Sequence, residues 1–114
     1  MGAREPSATA VARVWRGAVA SSEADAYVEY LRETGLRQYA ATPGNLDAMI
    51  LRRDLGALTE IVTFSLWSSR EAVRGFAGDD VSRAVFYPDD ERFLIERDDH
   101  VTHFDVALRA SDLA

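Results

Sequence analysis

Short runs rich in β-branched and aromatic residues alternate along the chain with segments whose apolar residues recur every three or four positions. Val11 to Gly17, with Val11, Val14 and Trp15, predicts a first strand. Ser22 with Asp25 predicts an acidic cap for a helix. That helix carries Ala24, Tyr27, Val28 and Leu31 on one face and Glu23, Glu29, Arg32 and Glu33 elsewhere. Gly35 interrupts it, and Leu36 and Tyr39 continue its apolar stripe. Thr42-Pro43-Gly44-Asn45 is a turn. Leu46 to Asp54 predicts a second strand, Leu55-Gly56-Ala57 a hairpin turn, and Leu58 to Trp67 a third strand. Ser68 with Glu71 predicts a capping box for a helix bearing Ala72, Val73, Phe76 and Ala77. Gly78-Asp79-Asp80 ends it. Asp80 is expected to cap a short further helix through Val81, Ala84, Val85 and Phe86, stopped by Tyr87-Pro88. Asp89 to Arg97 reads either as a helical turn or as an irregular arm, and His100 to Arg109 as the last strand.

This β-α-β, β-α-β order predicts an α+β, ferredoxin-like fold: a four-stranded antiparallel sheet, order 4-1-3-2, with both helices on one face. The third strand is apolar on both sides. Ile61, Thr63, Ser65 and Trp67 face one way, and Val62, Phe64 and Leu66 the other. In the fourth, Phe104, Val106 and Leu108 oppose Val101, His103, Asp105 and Ala107. One helix layer covers one face only. The bare apolar face predicts a homodimer with sheets packed face to face, a dimeric α+β barrel.

At 114 residues the chain is expected to form one domain, residues 10–109, between a loose leader at 1–9 and a frayed tail at 110–114. The absence of cysteine removes disulfides, thiolate nucleophiles and Cys-ligated metals. A formal charge of −6 disfavours phosphate backbones, so no nucleic-acid partner is expected. No stretch approaches the ~20 apolar residues of a membrane span. With no signal peptide core and no cysteine, the cytoplasm is the expected location.

Three stretches carry a resemblance: Ala12-Arg13-Val14-Trp15-Arg16-Gly17, Ala41-Thr42-Pro43-Gly44-Asn45, and Ser65-Leu66-Trp67-Ser68-Ser69-Arg70-Glu71-Ala72. Phe86 to Leu94 adds a fourth. Over Val11 to Leu108 the chain resembles antibiotic biosynthesis monooxygenase domain proteins of the dimeric α+β barrel superfamily. The resemblance implies a cofactor-independent monooxygenase acting on an aromatic or polyketide-like small molecule. In such enzymes the substrate's own carbanion gives an electron to O₂, and the protein supplies a dry pocket and help with deprotonation. Their third strand carries an Asn four residues before a Trp. Here Trp67 matches the Trp, and Thr63 stands where the Asn would be. Haem-degrading relatives place a ligand His near the position of Phe86, which cannot bind iron. The alternatives are a non-catalytic small-molecule-binding barrel, its cleft filled by Trp15, Phe76 and Phe86, and, less favoured, a haem protein. No cofactor is expected.

Two polar residues stand out. Arg13 shares a strand face with Val11 and Trp15, and His103 can reach that face from the fourth strand. His103 is the best available base and Arg13 a holder of phenolate or carboxylate; these are the expected catalytic pair. The competing reading makes His103 structural and pairs Arg13 with an acid such as Asp105. A substrate pocket is expected from Trp15, Thr63, Ser65, Trp67, Phe76, Phe86 and Tyr87. His100 and His103 fall on opposite strand faces, so no metal site is expected. The acidic clusters Asp79-Asp80 and Asp89-Asp90-Glu91 read as solvated or capping.

Overall fold

The structure, a computed structural model, describes residues 9–113. Residues 1–8 of the expected leader and residue 114 of the tail lie outside the described residues. Strand β1 spans Val11–Ala20, β2 Asn45–Leu55, β3 Leu58–Trp67, β4 Leu94–Arg97 and β5 Thr102–Asp105. Helices are α1 Ala24–Leu31, α2 Arg37–Ala41, α3 Arg70–Ala77 and the short α4 Asp90–Phe93. The antiparallel sheet runs β2-β3-β1, and β4 and β5 both pair with the free edge of β1. This is the expected 4-1-3-2 order, with its fourth position filled by two segments. No helix among the described residues is long and apolar enough to cross a membrane.

β1 runs three residues beyond its expected end because Ala18, Val19 and Ala20 keep pairing with β3, down to Ala20 opposite Leu58. Gly17 opposes Ile61 within this run. A Cβ there would sit 2.4 Å from the Trp15 ring, so only glycine lets that indole lie along the sheet. Gly56, at φ +73°, opens a two-residue turn between Leu55 and Leu58. A positive φ at the first central residue alone is the type II′ signature, and its twist suits a hairpin.

Several helix expectations needed correction. Ser22 does not cap α1; a single 3-10 turn, Ser21–Glu23, leads into the helix with no side-chain cap. The serine that works there is Ser21, whose Oγ donates to the Gly56 carbonyl and accepts from Thr59. Gly35 does interrupt the α-helix as expected, within a π-helical turn, Arg32–Leu36, that leads on into α2. The cap of α3 is Ser69, which accepts from Ala72 N–H at 3.1 Å, rather than Ser68. Ala110–Asp112, expected to be frayed, forms a 3-10 turn in which Asp112 accepts from the Arg109 N–H.

The largest departure lies between α3 and β5. Residues 81–86 form no helix. They run as an irregular strap whose backbone bonds to the chain before β5, Ala84 N–H to Asp99 and Val101 N–H to the Ser82 carbonyl. Those bonds satisfy the Ala84 N–H and the Ser82 carbonyl, and Ala84, Val85 and Phe86 face the interior. The last strand begins at Leu94 and breaks at Asp98–Val101, where the Asp98 carbonyl accepts the Trp15 indole N–H at 2.7 Å. It ends at Asp105, short of Arg109.

The helices cover one sheet face. Val11, Arg13, Trp15, Thr59, Ile61, Thr63, Ser65 and Trp67 are buried beneath them. By register, Met49, Leu51, Val62, Phe64, Val14 and Phe104 lie on the opposite face. There Leu51 and Phe104 are 46% and 56% exposed. An ion network of Arg16, Arg53, Glu60 and Glu96 lies beside them.

Candidate functional site

Two apolar clusters form under the helices. Trp15, Val19, Tyr27, Leu31 and Ile61 build one, and Tyr39, Trp67 and Val73 the other. A cavity lies where they meet, between sheet, α1, α2, α3 and the strap. Arg13, Trp15 and Thr63 come to it from the sheet, Tyr27 and Tyr39 from the helices, and Phe86, Tyr87 and Asp90 from the strap and α4. The space open to water centres is about 30 Å³, room for roughly two water molecules.

Six expected residues line this cavity: Arg13, Trp15, Thr63, Phe76, Phe86 and Tyr87. Trp15 and Phe86 meet edge to face at 6.1 Å, and Phe76 packs on Tyr39 at 4.3 Å. Ser65, Trp67 and His103 are not in the lining. Ser65 and Trp67 lie buried, the indole N–H donating to Ser65 Oγ at 2.9 Å.

Arg13 is only 2% exposed. Its Nη1 donates to the Val81 carbonyl and to His103 Nε2 at 3.3 Å, and its Nη2 to the Arg83 carbonyl at 3.0 Å. Its Nε–H has no partner. Asp105, the acid considered for it, instead accepts from Arg70 at 3.1 Å. Burial holds the guanidinium below its ordinary pKa, partly offset by the Tyr39 hydroxyl.

Arg13 and His103 are direct cross-strand partners on the helix-covered face. A guanidinium nitrogen only donates, so Nε2 accepts and the imidazole is neutral with its proton on Nδ1. Burial, then Arg13, then Arg70 hold the His103 pKa below its ordinary value.

Two polar groups escaped the sequence reading. Tyr39 falls by its spacing on an apolar stripe, yet its hydroxyl lies 3.4 Å from Thr63 Oγ1 in the buried interior. Asp90, read as solvated or capping, is 2% exposed. It accepts the Tyr27 hydroxyl at 2.9 Å and the Tyr87 N–H at 2.6 Å. Burial raises its pKa, and it raises that of Tyr27, whose own burial is the larger cause. The readable signal was Tyr87-Pro88-Asp89-Asp90, in which an acid three residues on reaches back to a backbone N–H, as half of a capping box does. Among the described residues, no three His, Asp or Glu side chains cluster as metal ligands would.

No protein-family model matches the chain, and no curated protein matches it. Solved structures do. A candidate antibiotic biosynthesis monooxygenase from Bacillus cereus superposes with a TM-score of 0.64 at 20% identity, over 89% of this chain and 96% of that one. Rv0793 from Mycobacterium tuberculosis gives 0.61 at 20% identity, over 89% and 98%. SnoaB, a cofactor-independent oxygenase from Streptomyces nogalater, gives 0.58 at 16% identity, over 90% and 98%. At these identities the likeness establishes the fold: the α+β, ferredoxin-like fold of antibiotic biosynthesis monooxygenase proteins.

Proposed function

We propose that the chain is a small cofactor-independent monooxygenase for an aromatic or polyketide-like small molecule. The observation that carries the reading is a cavity walled by Trp15, Tyr39, Phe76 and Phe86 with a buried guanidinium at its side and no carboxylate paired to it. A positive charge in a low-dielectric interior lowers the pKa of an acid bound nearby, which is the help a phenol or enol needs before its carbanion meets O₂. Thr63 and Tyr39 supply hydroxyls for the resulting oxyanion. Arg13 is the catalytic group in this reading. His103 acts through it as a positioning residue, because its Nε2 is turned to the guanidinium. The function assigned to the SnoaB structure, cofactor-independent oxygenation, is compatible with this chemistry.

The working unit is a homodimer whose second copy covers the bare face around Leu51, Phe64 and Phe104. Light scattering on the full chain is expected to give twice 12.6 kDa; a monomer at micromolar concentration would overturn that part.

The test of activity is oxygen consumption with a panel of electron-rich phenols and quinols in the presence of a metal chelator. Uptake that persists with chelator and falls roughly 10²-fold in Arg13→Met supports the reading. A second reading, a non-catalytic small-molecule-binding barrel, is favoured by the small free volume in a cleft lined by Trp15, Phe76 and Phe86. Ligand binding without oxygen uptake across the panel would select it.

A further inference from the structure

We propose that the ligand of this cavity is a flat organic monocarboxylate, held by the unclaimed edge of Arg13. The proposal rests on the reading above for the location of the site, and not for its oxidation chemistry.

A guanidinium has five N–H donors. Two on Nη1 go to Val81 and His103, and one on Nη2 goes to Arg83. The Nε–H is orphaned, and one Nη2–H remains. Every partner that Arg13 has is neutral. None of the ion pairs among the described residues includes it. A buried cation without a counter-charge is costly, and a buried donor without an acceptor adds to that cost. An anion that accepts from these two donors removes both at once.

The surroundings choose the anion. Two N–H groups on adjacent nitrogens match the two oxygens of a planar carboxylate. His103, the titratable group bonded to the guanidinium, is neutral, so one positive charge is available and a monoanion balances it. A phosphate dianion would leave a charge unmatched in a cavity lined by rings. The carrier of the carboxylate is flat because the walls are flat: Phe76 lies 5.7 Å from the guanidinium carbon, and Tyr39, Trp15 and Phe86 complete the enclosure. About 30 Å³ of free space does not admit a ring. The Phe86 end of the strap therefore shifts on entry, while Arg13 keeps its bonds to the Val81 and Arg83 carbonyls.

The test is isothermal titration of the full chain at pH 7 in a buffer free of carboxylates. Sodium benzoate, ionised at that pH, is the probe, and benzamide is its neutral isostere. The expected result is benzoate binding at least tenfold tighter than benzamide, with the preference lost in Arg13→Met. The comparison of the two ligands on the unaltered protein does not depend on how the variant folds. Equal affinity for both, or no binding of benzoate at millimolar concentration, would overturn the proposal. Oxygen uptake on neutral phenols without a benzoate preference would sink this inference and leave the oxygenase reading standing. Benzoate preference with no oxygen uptake would support this inference and sink that reading.

Discussion

Arg13 and Asp90 are the two buried charged side chains among the described residues, each 2% exposed, and both line the same cavity. Their surroundings differ in one respect. Each Asp90 oxygen has a donor, the Tyr27 hydroxyl on one and the Tyr87 N–H on the other. Arg13 has three partners and an orphaned Nε–H. The fold has completed the environment of the acid and left that of the base open. Buried polar groups are ordinarily satisfied, so an open one beside a cavity points to a missing ligand, while a closed one points to architecture.

The largest expected effect tests the architectural half. Asp90→Ala removes the acceptor of two buried donors and is expected to cost about 2–5 kcal/mol in urea unfolding. A cost below about 1 kcal/mol would remove the distinction between the two residues. The next closes the space beside both charges without altering either. Gly17→Ala drives a methyl into the Trp15 ring. It is expected to cost about 1–3 kcal/mol and to abolish benzoate binding by displacing the indole into the cavity. Arg13→Met comes third. The lost bonds to Val81 and Arg83 are offset by removal of an uncompensated charge, so a cost below about 2 kcal/mol is expected, together with loss of benzoate binding. A variant that unfolds at pH 7 would make Arg13 as architectural as Asp90.

The smallest effect is in the pH dependence, where the two sides have opposite signs. The His103 pKa is depressed by burial, then by Arg13 and Arg70. The unfolded imidazole takes up a proton near pH 6.5 that the folded one refuses. Its contribution is full above that pH and is lost as pH falls through the folded value. The urea midpoint should drop between pH 7.5 and pH 5.5, and His103→Gln should flatten that drop. Asp90, raised by burial, holds in the folded state a proton that the unfolded chain releases from about pH 3.9 upward. Its share of stability declines as pH rises through that window.

Strand order and the cross-strand approach of His103 to Arg13 were readable because strand parity and ferredoxin-like topology fix which side chains share a face. The strap was not. Val81, Ala84, Val85 and Phe86 carry a helix-like spacing, yet their backbone bonds lie in the distant segment around Asp99 and Val101, which local pattern does not report. The break in the last strand has the same origin, since the indole of Trp15 requires a carbonyl there. Ser69 displaced Ser68 as a cap by one position, within the ordinary blur of helix boundaries. Tyr39 and Asp90 were hidden by composition: a tyrosine on an apolar stripe and an aspartate in an acidic run each have an ordinary reading, and only packing distinguishes them.

The unclaimed edge of Arg13 is observable directly. A buried arginine Nε–H exchanges slowly with water and is visible as a proton–nitrogen correlation in NMR. Once assigned by its absence in Arg13→Lys, the Arg13 Nε–H signal is followed through titrations with benzoate and benzamide. Occupation of that edge by a carboxylate predicts a signal that benzoate moves to lower field and benzamide leaves in place. A signal unmoved by benzoate would contradict it.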